Sequence, residues 1–416
     1  MNPLIKSLAT RLISRGTLRI TDADRRTQQF GDGTGQPLHL RFNSNHAAWA
    51  IALDPALKLG ECYMDGEVDM VEGDMFGLLE LIFMNAGPYA TSTAPWMRAL
   101  NRFRQSTRQL RQLNTLQRAR RNVQHHYDLS TALYDLFLDE DRQYSCAYFR
   151  RPEMDLEEAQ HAKKDHIAAK LNMKHPGLKL LDIGSGWGGL GLYMAQTFDA
   201  DVTGITLSDE QHLYSNDRIP AHIKRSIRFL LRDFRTIEEQ FDRIVSVGMF
   251  EHVGVGNYDA YFKACARLLR RDGIMLLHAI GRADVPSWTN PFIARHIFPG
   301  GHIPSLSEVL PAIERSGLYV TDIEILRQHY ADTLRHWRER FMARRNEAKL
   351  LYDERFCRMW EFYLAASESA FRWQRLMVFQ IQLAHDAAAV PVTRDYMLDD
   401  ERDLAAPRGQ HRRHAC

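Results

Sequence analysis

The densest cluster of residues able to do chemistry is LLDIGSGWGGL, where an apolar run ends at Asp182 and passes into Gly184, Gly186, Gly188 and Gly189. Glycines at this spacing let the backbone turn with positive φ and approach a ligand where a Cβ would collide. Gly184, Gly186 and Gly189 also satisfy G-x-G-x-x-G, the dinucleotide fingerprint, so a nicotinamide enzyme has to be weighed. Asp182 decides between the readings. Two residues before the first glycine, it completes the order h-h-D-h-G-x-G-x-G typical of S-adenosylmethionine enzymes. That ligand has no diphosphate and a cationic methionine end, which a carboxylate helps hold, directly or through water. A dehydrogenase would want an acid at the end of the next strand to hold a ribose. That strand ends in Gly204, Ile205 and Thr206, with Asp209 and Glu210 displaced into the following helix. The expected cofactor is S-adenosyl-L-methionine.

Two further carboxylates follow at matching places. Asp233 comes after the third strand, placed to accept from an adenine amino group; the plainer alternative is a solvent carboxylate. Glu251, in VGMFEHVG, lies at the carboxyl end of a strand, where doubly wound sheets place their chemistry. The passage lacks the Asn-Pro-Pro-Tyr sequence expected for methylating an amide or exocyclic nitrogen, so the methyl acceptor should be something else.

The elements that must position these groups repeat as strand, turn and helix from about Leu178. Strands are predicted over 178–183, 200–207, 227–233, 242–248, 273–281 and 319–326, with long amphipathic helices from Ala331 to about Ala389. Such alternation implies a mostly parallel sheet with helices on both faces. The fold class is therefore α/β: a class I S-adenosylmethionine methyltransferase, Rossmann-like, with helical additions. Upstream, TLRITD and LHLRFN alternate like half-buried strands around a GDGTG turn, giving a small N-terminal α+β domain over 1–95. A basic helical connector over 96–124, the methyltransferase domain over 125–390 and a polar, mobile tail over 391–416 complete the expected organisation.

The charge is segregated. Lysine plus arginine number 54 against 52 acids, a net of +2 that argues against a dedicated nucleic-acid binder. From Asp54 to Glu80 the acids Asp54, Glu61, Asp65, Glu67, Asp69, Glu72, Asp74 and Glu80 face Lys58 alone. From Leu81 to Tyr127 there is no acid, while Arg98, Arg102, Arg104, Arg108, Arg111, Arg118, Arg120 and Arg121 occur. This segment is either a solvated linker helix or a basic surface for phosphates, each cation being worth ~1 kcal/mol near anionic headgroups. Trp96 and Phe103 are too few aromatics to favour nucleic acid. Five widely spaced cysteines, Cys62, Cys146, Cys265, Cys357 and Cys416, include no C-x-x-C, so neither a disulfide framework nor a cysteine zinc site is expected. The first residues pattern as an amphipathic helix through Leu4, Ile5, Leu8 and Leu12 and lack the apolar run of a secretory signal. A cytoplasmic protein in peripheral contact with the inner face of a membrane is expected, and a homodimer is left open.

HHYDLS (125–130), YSCAYF (144–149), LLDIGSGWGGL, VTGITLSDEQ (202–211), FDRIVSVGMFEHVG (241–254), NYDAYF (257–262), LLHAIG (276–281), IFPGGHIPS (297–305) and HYADTLRHW (329–337) resemble the motifs of cyclopropane fatty acyl phospholipid synthases, in that family's order. Mycolic acid cyclopropane synthases are similar over the same span. The upstream residues, with LGECYMDGEVD, resemble the extra domain of the phospholipid-acting branch.

The resemblance implies transfer of a methylene from S-adenosylmethionine to a cis double bond of an unsaturated acyl chain in a membrane phospholipid. A sister reaction would leave a methyl branch or a methylated unsaturated chain. Attack by the alkene creates a carbocation, and in this family a bound bicarbonate is thought to take the proton whose loss closes the ring. The matching anchors are Cys146, Glu251, His278 and Tyr330, with the backbone of Ile280. Glu251 would accept from the ion's hydroxyl, and His278 and Tyr330 would donate to its oxygens. Read singly, Cys146 is as well a small buried hydrophobe, His278 a satisfied core histidine and Tyr330 a helix cap. Tyr144, Ser145, Gly184, Gly186, Thr206, Gln211 and Asp233 are carried over as cofactor contacts beside Asp182. His125 and His126 are adjacent and face apart, so no metal site is expected; His126 to Asp128 are expected to close over the cofactor. Ser185 and Ser367 replace cysteines found in some members. Ser185 is a small swap in the loop and should be neutral; were a catalytic thiol required at 367 this chain would be inactive, but a thiolate nucleophile has no place in the alkene reaction.

Overall fold

A computed structural model describes residues 1–87, 95–106 and 130–406. The first sheet combines β1 (Thr17–Thr21), β2 (Thr27–Phe30), β3 (Pro37–Phe42) and β4 (Val68–Glu72) in the order β2-β1-β3-β4. TLRITD and LHLRFN supply β1 and β3, whose Leu18, Ile20, Leu40 and Phe42 are buried. The polar strand β2 and the acidic strand β4 were not foreseen, because neither carries an alternating apolar face. The N-terminal helix Pro3–Leu12 is capped by Asn2 and docks on its own unit, with Ile5 and Ala9 buried. Its apolar stripe is thus used internally.

The larger sheet contains β5 (Lys179–Ile183), β6 (Asp201–Thr206), β7 (Ile227–Leu231), β8 (Phe241–Val247), β9 (Leu269–Arg282), β10 (Tyr319–Leu326) and β11 (Leu376–Ala384). Its order is β10-β11-β9-β8-β5-β6-β7, parallel from β9 to β7 and antiparallel at β10 and β11. Strand order reverses between β5 and β8, so a crevice opens at their carboxyl ends, where doubly wound folds bind ligands.

The expectation of helices alone from Ala331 to Ala389 is corrected. Helices His329–Ala343, Arg345–Leu351 and Glu354–Trp373 are followed by β11. Within LMVFQIQLA the apolar–polar alternation runs only from Phe379 to Leu383, and both faces are buried, with Gln380 and Gln382 inside. The expected mobile tail is corrected as well. Helix Asp395–Ala405 buries Tyr396 and Met397, and Glu401 accepts from Arg150 (2.9 Å) and His166 (3.0 Å). Of the basic connector, residues 95–106 form a helix whose Arg104 is buried against Asp54 at 2.6 Å; its later arginines, like His125, His126 and Asp128, lie outside the described residues.

The first unit and the larger one meet along helix Glu354–Trp373. Arg358 donates to the carbonyls of Tyr63 and Val68 and to Asp69 at 2.6 Å; against its burial, hydrogen bonds from Asn43, Arg358 and Arg41 hold the Asp69 carboxyl down at about 2. Beside it, the backbone of Gly60 approaches so closely that a Cβ there would lie 2.5 Å from the Phe292 ring and 2.8 Å from the Phe362 ring. Gly60→Ala is therefore expected to cost ~1–3 kcal/mol through overpacking. Thermal unfolding checks this, and an unchanged melting temperature would show that the contact has slack.

Candidate active site

The crevice is built where β5 and β8 end. Residues after β5 turn at Gly184 (φ +84) and Gly186 (φ +54) into helix Gly189–Phe198. A Cβ at Gly184 would fall 2.7 Å from Met249, whereas one at Gly186 would meet no atom within 4 Å. Gly184 is thus needed by the packing of the loop against the β8 end, and Gly186 keeps the pocket side open. Tyr144, Ser145, Asp182, Gly184, Gly186, Thr206, Gln211 and Asp233 all line this one cavity. Arg142, Trp187, Phe234, His252 and Asn257, which the sequence reading did not single out, line it too.

The local bonds set what each group can offer. Asp182 is buried, its Oδ2 has no partner, and desolvation lifts its carboxyl to about 7. Thr206 Oγ1 donates to Gln211 Oε1 at 2.9 Å and accepts from the Ser208 amide at 3.2 Å, fixing the end of β6. Asp233 is no solvent carboxylate: Arg235 holds both of its oxygens at 2.7 Å, so an incoming amino group would meet an acceptor that is already paired. Burial pushes His252 down to about 4, leaving a neutral ring on the cavity wall. The glycine loop and a buried carboxylate oxygen beside it fit an amino-acid ligand with a cationic end, as S-adenosylmethionine has.

Glu251 and Ile280 meet outside the lining of the cavity, and His278 stands two residues before Ile280 on β9. Glu251 sits in the single turn after β8, and the Ile280 amide donates to its Oε1 at 2.6 Å. The Ile280 amide is therefore already engaged by the carboxylate. Glu251 Oε2 is buried without a partner, and burial raises the carboxyl to about 7. His278 is not at a strand end but inside β9, 2% exposed, with its Nδ1 3.1 Å from the Gln380 amide nitrogen on β11. With that amide as donor, the ring proton is assigned to Nε2. Burial holds the ring well below the usual histidine range, so it is neutral.

The segments that carry Cys146 and Tyr330 are joined. The Ala147 amide donates to Thr333 Oγ1 at 3.0 Å, tying the Cys146 segment to the helix that carries Tyr330. Burial raises the Cys146 thiol, whose Sγ lies 3.3 Å from the Ala147 carbonyl. It is a protonated donor and no nucleophile. The Tyr330 ring packs edge-on to Trp337 at 5.8 Å and against Phe371 at 4.8 Å. Tyr144 stacks on Trp337 at 5.1 Å, and its hydroxyl meets that of Tyr363 at 2.8 Å. The charge of Lys163, a fully buried lysine that sequence reasoning missed, reaches Cys146, Asp182 and His278 alike. Ser185 lines the cavity, while Ser367 is half-buried on helix Glu354–Trp373 and outside its lining.

Comparison with known proteins places this geometry. A family model for mycolic acid cyclopropane synthetase matches residues 114–381, and a domain of unknown function matches 5–94. A cyclopropane-fatty-acyl-phospholipid synthase of Escherichia coli (strain K12) is 38% identical over 347 residues, 83% of this chain and 87% of that protein. A probable fatty acid methyltransferase of Pseudomonas putida is 40% identical over 267 residues, 62% of this chain and 68% of that protein. The solved mycolic acid cyclopropane synthase CmaA1, complexed with SAH and CTAB, superposes with a TM-score of 0.60 at 37% identity, covering 64% of this chain and 97% of that one. By sequence and by fold, the chain belongs to the mycolic acid cyclopropane synthetase family.

Proposed function

We propose that the protein transfers a methylene group from S-adenosylmethionine to a cis double bond in an acyl chain of a membrane phospholipid, giving a cyclopropane fatty acyl chain. The observation that carries this reading is the E. coli likeness, whose 83% coverage reaches upstream of residue 114 into the first unit. The likeness to CmaA1 covers 64% of the chain. When bound, the sulfonium cofactor supplies an activated methyl group, and a bicarbonate ion supplies the base for the proton that leaves.

The chain's residues do the rest. Asp182 and the glycine loop orient the methionine end of the cofactor, and Tyr144, Ser145, Thr206 and Gln211 close around it. Glu251 Oε2, buried and unpartnered, would accept from the hydroxyl of the ion. The His278 Nε2 proton and the Tyr330 hydroxyl would donate to it, with Cys146 as a further anchor. The rings of Tyr144, Tyr330 and Trp337 exclude water and present π faces, which favour a developing cation. Helix Pro95–Ser106 exposes Trp96 and Phe103 beside Arg98 and Arg102, a combination suited to a lipid interface. No described helix is long and apolar enough to cross a membrane.

Lipids from cells expressing the protein should contain acyl chains heavier by one methylene, with the olefinic protons of the modified site gone, read by mass spectrometry and NMR. A methyl branch or a surviving double bond would instead identify the sister C-methyl transfer that the Pseudomonas relative's description suggests. Glu251→Gln should lower turnover by roughly a hundredfold or more while leaving S-adenosylhomocysteine affinity nearly unchanged. Loss of both would put Glu251 in the cofactor site. At saturating cofactor, wild-type turnover should fall as the pH drops through about 7, where the raised Glu251 carboxyl takes up its proton. Finally, sedimentation with liposomes should be stronger on anionic than on neutral lipid; equal binding would remove the arginines from the contact.

A further inference from the structure

Lys163 is 0% exposed on helix Leu156–Lys170, and its ammonium is engaged by neutral oxygens: Gln143 Oε1 at 2.7 Å and Ser145 Oγ at 2.8 Å. Among the described residues no carboxylate approaches it at ion-pair distance. A buried ammonium in this state is costly, so its position calls for a reason. One turn earlier, Gln160 Nε2 donates to the carbonyls of Gln143 (3.1 Å) and Ser145 (3.0 Å). The helix therefore grips the segment that forms one wall of the cofactor cavity and leads into Cys146.

The charge has a target as well. Lys163 is the charged group that acts on Asp182, and it opposes the burial that favours the protonated acid there. Facing the ammonium are Asp139 and Asp141 from the preceding loop, Lys164 on its own helix, Cys146 on the gripped segment and His278 on β9. Desolvation lowers the ammonium to about 8, so it stays charged at neutral pH.

We propose that Lys163 is a positioning residue for the cofactor: it fixes the Gln143–Cys146 wall and supplies the positive charge that lets buried Asp182 meet the methionine end of S-adenosylmethionine as a carboxylate. Without that charge Asp182 presents a neutral acid, a poor partner for an ammonium, and binding must first remove its proton. The inference rests on Asp182 being the partner of the cofactor's amino group.

Calorimetric titration with S-adenosylhomocysteine, on the full chain between about pH 6 and about pH 7.5, tests it below the titration of Lys163 itself. Wild-type affinity should weaken toward acid. Lys163→Met should bind about tenfold more weakly at neutral pH, with the acid fall moved up by about one pH unit. Ser145→Ala, which loses one bond and keeps the charge, should weaken binding evenly without moving the fall, and Asp182→Asn should bind weakly at every pH. An even loss in Lys163→Met, or none, overturns the proposal. If Asp182→Asn binds like wild type, the reading of Asp182 fails with it, an outcome distinct from an unmoved Lys163→Met profile beside a weak Asp182→Asn. Circular dichroism checks folding; Lys163→Gln, also neutral and of similar length, takes the place of Lys163→Met should that variant not fold.

Discussion

Withdrawal of charge from water is the constraint around which this molecule is arranged. Asp182 and Glu251 end adjacent parallel strands, each with one oxygen buried and unpartnered, and burial pushes both carboxyls up to about 7. Most proteins avoid such groups, because desolvating an ion costs more than a single hydrogen bond returns. Here the cost falls at the reversal of strand order, the place where the fold opens a crevice. The surrounding structure serves to hold these acids dry: the glycine loop under one, the Ile280 amide on the other, and aromatic rings beyond.

Much of this was legible in the sequence. The parallel strands, the glycine loop and Asp182 announce themselves because each depends on local rules: apolar runs, positive φ, an acid at a strand end; Tyr144, Ser145, Thr206 and Gln211, which line the same cavity, came from the family resemblance. Strand β11 was hidden by its place in the chain. Its period of two runs only from Phe379 to Leu383, and so short a stretch directly after a long helix reads as more helix. The docked helix Asp395–Ala405 was hidden because it buries few apolar side chains, Tyr396 and Met397, beside ionic contacts through Glu401, and acids beside arginines read as solvent-facing.

Lys163 was illegible for a related reason. LEEAQHAKKDHIAAK is so polar that it suggests a surface helix, yet Gln160, Lys163, Asp165, His166 and Lys170 are all buried. Pattern reading assumes that apolar means inside, and a helix packed against a polar site inverts that assumption. His166 lies between Glu324 (2.8 Å) and Glu401 (3.0 Å), with its ring stacked on Tyr148 at 4.0 Å, so hydrogen bonds to two carboxylates hold the helix here.

Strand β11 follows both of its neighbours in the chain yet lies between them. During synthesis β9 and β10 therefore emerge before the strand that joins them. Until residues 376–384 are available, β9 has an open, apolar edge at what will become the middle of the sheet, and β10 has nothing to pair with. Such an edge is a template for other chains. The nascent protein is thus exposed to aggregation until β11 has been made, and a chain broken off within the long helices would be left with its sheet open.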